Sequence, residues 1–193
     1  MKVIGITGGV GSGKSEVLRY LEEEYGAVVC QLDEVAKELQ KKGGMCYQEI
    51  VDYFGTGILG TDQELDRQKL SAIVFSDEEK RKILNGIVHP QVKQWTRQDI
   101  EEKREQKTPL YVIEAALLPE AGYDKICQEM WYIYAREEVR RERLKKSRGY
   151  SDERISHMIA SQPDEAAFRD ACSVVIDNSG TFEETKKQIG ENL

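Results

Sequence analysis

The run Lys2-Val3-Ile4-Gly5-Ile6-Thr7-Gly8-Gly9-Val10-Gly11-Ser12-Gly13-Lys14-Ser15 decides how the chain is read. Its first six residues are rich in β-branched types and read as a buried strand. Gly8 to Ser15 then matches G-x-x-x-x-G-K-[ST] without a mismatch. Behind it Val17, Leu18 and Leu21 recur at helical spacing. Strand, glycine loop and helix form the setting in which this pattern binds a phosphate chain. Glycines let successive N–H groups turn towards an anion, and the helix start adds unpaired donors and a positive dipole end. Lys14 brings a mobile point charge to the terminal phosphates, and the Ser15 hydroxyl is a hard oxygen ligand suited to Mg²⁺. Gly8, Gly9, Val10, Gly11, Ser12, Gly13, Lys14, Ser15 and Glu16 are the expected nucleotide-binding residues.

Working outward, the 193 residues suffice for one α/β domain with an insertion. A charged fraction of 33% beside a hydrophobic fraction of 39% is that of an ordinary soluble chain. No apolar run approaches the ~20 residues of a membrane span, and no basic leader opens the sequence; a cytoplasmic protein without membrane partners is expected. The net charge of −7 disfavours a general nucleic-acid binder, which needs a basic face. Cys30, Cys46, Cys127 and Cys172 are scattered without a C-x-x-C pair, so buried free thiols are expected rather than a metal site.

A second strand over 26–30 leads to Gln31-Leu32-Asp33 and a helix. Ligands of open parallel sheets sit at the carboxyl ends of strands, so Asp33 suits an acid facing a phosphoryl acceptor; it equally suits a helix N-cap. Residues 43–107 read as helical. Segments 45–54 and 62–75 come first, then a helix capped by Ser76-Asp77 that should end near Val88. Pro90 does not fit a helix interior, so His89 is expected as cap and Pro90 as first residue of a further helix. Strands resume at 110–113, ending in Glu114, which suits either an Mg²⁺ contact or a solvated acid. Another spans 130–134, followed by a helix dense in Arg136, Arg140, Arg141, Arg143, Lys145, Lys146 and Arg148. That run is either a solvated face or a set of guanidinium groups reaching the phosphates. A helix over 151–161 and a last strand over 173–176 complete five strands alternating with helices, hence a parallel sheet covered on both faces.

In this order the motifs resemble the dephospho-CoA kinase family along nearly the whole chain. They are Thr7 to Ser15; Asp33 with Ala36 and Leu39; Asp66-Arg67 through Leu70 to Val74-Phe75; and His89-Pro90. Then come Ala116-Leu117-Leu118-Pro119-Glu120, Arg143-Leu144 with Gln162, and Val175 to Gly180. The chain departs from that pattern in four places. Gln31 replaces a first acid, Glu114 replaces Asp, the second lid arginine falls on Ser147 with Arg148 next to it, and Cys172 replaces an aspartate.

The resemblance implies a three-layer P-loop kinase fold with a helical substrate-binding insertion and a small lid. Residues 1–42, 108–135 and 162–193 would form the nucleotide core, 43–107 the CoA-substrate region and 136–161 the lid. It implies transfer of a phosphoryl group from ATP, with Mg²⁺, to the ribose 3′-hydroxyl of dephospho-CoA, by a monomer or weak homo-oligomer. Asp33, Lys14, Arg143 and Arg148 are the expected catalytic residues, Ser15 and Glu114 the metal contacts. Asn178 and Gly180 would border the nucleotide, and Arg67, His89 and Leu117, with Asp33, the acceptor. The alternative is another P-loop small-molecule kinase acting on a nucleotide-like hydroxyl. A GTPase switch is disfavoured because no N-K-x-D segment occurs, and Asp52-x-x-Gly55 lies in a helical stretch. A non-enzymatic sensor is disfavoured because Asp33, Lys14 and Ser15 are all retained.

Overall fold

The computed structural model describes residues 1–116 and 122–193, and the expected acceptor contact Leu117 lies outside the described residues. By its internal contacts the chain divides into two compact units, residues 1–30 with 106–193, and residues 31–105.

The first unit is built on a five-stranded parallel sheet in the order β2-β3-β1-β4-β5. Its strands are β1 (Lys2–Thr7), β2 (Val28–Gln31), β3 (Leu110–Glu114), β4 (Glu129–Tyr134) and β5 (Val174–Asp177). Strands buried on both faces read as nearly continuous apolar runs, and those of β1, β3 and β4 do. One face carries Ile4, Ile6, Leu110, Val112, Trp131, Ile133 and Ile176. It packs against Val17, Leu18 and Leu21 of α1 (Lys14–Tyr25) and Ile189 of α9 (Phe182–Asn192). Trp131 is fully buried, and its indole N–H donates to Glu129 Oε2 at 2.9 Å, which satisfies the one polar atom it brings inside. Burial alone would push the Glu129 carboxyl up, but that N–H and the Lys2 ammonium, 3.0 Å from Oε1, hold it below the usual carboxylate range.

On the other face Gly5 leaves the space that Met130 and Cys127 fill: a Cβ there would fall 2.5 Å from Met130 Sδ. Phe168 of α8 (Glu165–Ala171) stacks on Tyr132 at 4.8 Å between ring centroids. Helix α8 is absent from the sequence-based expectation, because seven residues are too few to show a helical period; its one signal is Asp164, whose side chain caps Ala167 N–H at 2.8 Å. Helices α6 (Glu137–Arg148) and α7 (Asp152–Ala160) complete this unit.

The second unit holds α2 (Leu32–Leu39), α3 (Tyr47–Phe54), a 3₁₀ turn (Thr56–Ile58), α4 (Arg67–Ser76) and α5 (Glu78–Glu105). Asp66, not Asp62, begins α4, accepting from Gln68 N–H at 3.0 Å and Lys69 N–H at 3.1 Å. Helix α5 corrects the expectation of two helices broken at His89-Pro90, because it runs 28 residues with Pro90 inside it. An interior proline costs about 3 kcal/mol. Here it sits on the exposed side, and Ile87, Val88, Val92, Thr96 and Ile100 keep one buried stripe running past it. The packed stripe offsets the lost bond, and His89 is an exposed mid-helix residue instead of a cap.

All four cysteines are free thiols, and burial pushes Cys127 up to about 12, Cys172 up to about 11, and Cys46 above its usual value. A raised pKa leaves little thiolate near neutrality, so these three are expected to resist iodoacetamide at pH 8 in the native state. Peptide mass spectrometry should find them modified only after denaturant is added.

Candidate active site

Strand β1 pairs with β3 on one side and β4 on the other, and the chain leaves β1 towards β2 but leaves β4 towards β5. The carboxyl ends of β1 and β4 therefore flank a switch point, where open α/β sheets bind their ligands. The glycine loop follows β1, and the basic helix α6 follows β4.

At the loop's end Gly13 has φ 89° and precedes the first turn of α1. A side chain there would run into the Asn178 amide, so both backbone angle and space require glycine. The first N–H groups of α1 have no intrahelical acceptor by helix geometry. Glu16 N–H and Val17 N–H both fold back to Gly13 C=O, at 3.1 and 3.3 Å. Within the loop Ser12 N–H donates to Gly9 C=O at 3.1 Å and Val10 N–H to Gln162 Oε1 at 2.8 Å. Those two donors, expected to cradle phosphates, are occupied by protein. Glu16 is exposed in the first turn of α1, where its charge complements the dipole.

Lys14 Nζ donates to Gly8 C=O at 2.6 Å and lies 4.0 Å from Glu114 Oε1, both side chains being largely buried. The register Ile6↔Glu114 brings the carboxylate to this place, at the end of the strand beside β1. Residues Gly9 to Ser15, Glu114, Arg143, Leu144, Ser147 and Arg148 line one cleft of about 310 Å³. Arg143 donates to Ser12 C=O at 3.2 Å and to Asn178 C=O at 2.9 Å. The Ser147 hydroxyl is turned back onto Arg143 C=O at 2.6 Å, whereas its neighbour Arg148 sits beside Tyr150 and holds that phenol below its usual range.

Asn178, expected beside the nucleotide, is held inside the protein beneath the loop. It is 1% exposed, its amide donates to Ser12 C=O at 2.8 Å, and its carbonyl oxygen accepts from Thr185 Oγ1 at 2.8 Å. The side chain thus buttresses the loop from beneath, using one amide N–H and one carbonyl lone pair to do so. Gly180 lines a different cleft, with Arg136, Asp177 and Ser179.

In the second unit Asp33 is not an N-cap: that position is Gln31, and Asp33 lies in the first turn of α2. Its carboxylate is exposed and takes no hydrogen bond or ion pair from the described residues. Arg67, at the start of α4, borders two neighbouring clefts. One, of about 360 Å³, also has Lys37, Lys41 and Leu70; the other has Ser71, Ala72 and the 94% exposed Phe75.

Sequence reasoning passed over Arg140 as a site residue. Seven basic residues follow β4, and nothing in composition separates Arg140, whose guanidinium meets the loop at Val10 C=O, from the rest.

A glycine loop closing on a lysine and a serine at a parallel-sheet switch point, with arginines from the next strand's helix on the same cleft, defines a P-loop phosphotransferase. The family model of dephospho-CoA kinases matches residues 2–184. A dephospho-CoA kinase of Carboxydothermus hydrogenoformans is 39% identical over 98% of this chain and 91% of its own length. One of Geobacter sulfurreducens is also 39% identical, over 99% and 96%. The crystal structure of TT1252 from Thermus thermophilus superposes with a TM-score of 0.81 at 31% identity, covering 99% of this chain and 95% of that one. The chain belongs to the dephospho-CoA kinase family.

Proposed function

We propose that this chain transfers the γ-phosphoryl group of ATP to the ribose 3′-hydroxyl of dephospho-CoA, giving coenzyme A and ADP. Beyond family membership, the observation that carries the reading is the single cleft where the glycine loop, Lys14, Glu114, Arg143 and Arg148 meet. Phosphoryl transfer asks a protein mainly for alignment and charge stabilisation, since the transferred group passes through a loose transition state. In this reading Lys14 and the amides at the start of α1 hold the β- and γ-phosphates. Arg143 and Arg148 meet charge developing on the bridging oxygen. Asp33 orients the 3′-hydroxyl and accepts its proton.

The residues present fit Mg²⁺. The Ser15 hydroxyl and Glu114 carboxylate are hard oxygen donors, and the described residues contain no cluster of three or more metal-binding side chains. Such a pair suits an ion held mostly by nucleotide phosphates and water. When bound, the ion neutralises charge on the phosphate oxygens.

The helical region 43–107 takes the acceptor. Arg67, with Lys37 and Lys41 around one cleft, suits its diphosphate, and exposed Phe75 suits an apolar or aromatic part of it. His89 and Leu117 are carried as acceptor contacts on the family motif alone. Residues 136–161 act as the lid over a core of 1–42, 108–135 and 162–193. We place the enzyme in the cytoplasm as a monomer or weak homo-oligomer, and its charge of −7 supports the exclusion of nucleic acid.

Incubation with ATP and dephospho-CoA, AMP, UMP or shikimate tests the reading. Product should form with dephospho-CoA only, and turnover of another acceptor without it overturns the assignment. The lid is tested separately. Arg143→Ala should lower kcat ~10²-fold, and Arg148→Ala ~10-fold, at saturating substrates, as when a preorganised charge is removed. If both variants turn over like the parent, Arg143 and Arg148 have no part in the chemistry.

A further inference from the structure

Val10 of the glycine loop is held through both its backbone N–H and its backbone C=O by side chains that do not line the phosphate cleft. Val10 N–H donates to Gln162 Oε1 at 2.8 Å, and Arg140 Nε–H donates to Val10 C=O at 2.8 Å. The second arm of Arg140 closes the ring, with Nη2 3.4 Å from the same Gln162 oxygen. The glycines either side of Val10 admit this grip. A Cβ on Gly9 would fall 2.5 Å from Arg140 Nη2, and one on Gly11, where φ is 78°, would fall 2.8 Å from Arg140 C=O.

Arg140 makes no ion pair with a carboxylate of the described residues, although acids outnumber bases in the chain by 35 to 28. Its neighbour Arg141, by contrast, pairs with Glu137 at 2.7 Å. A guanidinium that bonds two neutral oxygens is fixed by geometry more than by charge, and its planar fork suits this two-point contact.

A loop of four glycines is costly to order, at about 1–2 kcal/mol per residue. A clamp that orders it during folding removes that cost from ligand binding. We infer that Arg140 and Gln162 are positioning residues for the nucleotide: they hold the apex of the loop in its binding shape and set ATP and ADP affinity without touching either. Arg140 lies in the first half of α6, and Gln162 lies two residues past α7. The loop apex is therefore tied to both ends of the α6–α7 pair.

This inference rests on reading the glycine loop as the nucleotide site, and calorimetric titration with ADP, which needs no acceptor, separates the two. Gln162→Leu removes the acceptor of Val10 N–H at nearly constant volume, whereas Gln162→Glu keeps an oxygen in place. The first should bind ADP about 10-fold more weakly, with Tm within about 3 °C of the parent. The second should stay within about threefold. In steady-state assays Gln162→Leu should raise KM for ATP by a similar factor. KM for the acceptor and kcat at saturation should move less than about threefold.

ADP affinity within twofold of the parent in Gln162→Leu overturns the clamp, as does Gln162→Glu being equally impaired. A parallel rise in both KM values also overturns it, since that marks general damage. Should Gln162→Leu not fold, Arg140→Lys carries the test: it keeps the charge but loses the fork, and unchanged ADP affinity would overturn the proposal. If the unsubstituted chain binds no ADP, the nucleotide-site reading itself falls, and this inference with it.

Discussion

Lys14→Met is expected to lower kcat by ~10²-fold or more, a loss of about 2.7 kcal/mol in transition-state stabilisation. The ammonium is placed before any ligand arrives. It donates to Gly8 C=O at 2.6 Å and stands 4.0 Å from Glu114, largely shielded from water. A charge held there costs no reorganisation when negative charge shifts between phosphate oxygens. Methionine keeps much of the stem's volume, so Tm should change little while turnover collapses. Lys14→Arg is not expected to rescue the rate, since a planar fork replaces a compact point charge in a cleft of about 310 Å³. Single-turnover measurement at saturating ATP reads the effect on chemistry directly, and parent-like rates in Lys14→Met would remove the loop from the mechanism.

Asp33→Asn should lower kcat by ~10²- to 10⁴-fold, the range of a lost general base, while ATP binds within about twofold of the parent. Asp33 caps nothing, pairs with nothing among the described residues and is exposed, so its removal breaks no visible structural contact. Its charge in the first turn of α2 contributes only the few tenths of a kcal/mol expected from a helix dipole. A large kinetic effect with an unchanged melting curve would assign the residue to chemistry. Near-native turnover in Asp33→Asn would leave it as a dipole-complementing acid only.

Much of this was legible in order along the chain, because the signals were local. The β-branched run 2–7 forms β1 with those same bounds, and the G-x-x-x-x-G-K-[ST] pattern lies between it and α1. Asp77 at the head of α5 accepts from Lys80 N–H, as its cap sequence implied. Local signals misled where long-range packing outweighed them. Pro90 is a helix breaker by propensity, yet the buried stripe from Ile87 to Ile100 carries α5 through it. The bonds of the Asn178 amide to Ser12 and Thr185 are a further product of packing, which its local motif does not specify.

The sequence by itself determined a parallel α/β protein with a triphosphate loop after its first strand, since periodicity and glycine spacing are properties of consecutive residues. Resemblance of ordered motifs added the family. Only the tertiary structure decided which side chains support that loop. Arg140, Arg143, Gln162 and Asn178 lie 130 to 166 residues from their loop partners. Nothing local distinguishes Arg140 from the other cations of its helix. Contacts across such separations are set by strand order and helix packing, so the loop's chemistry could be read from its own residues, but its rigidity could not.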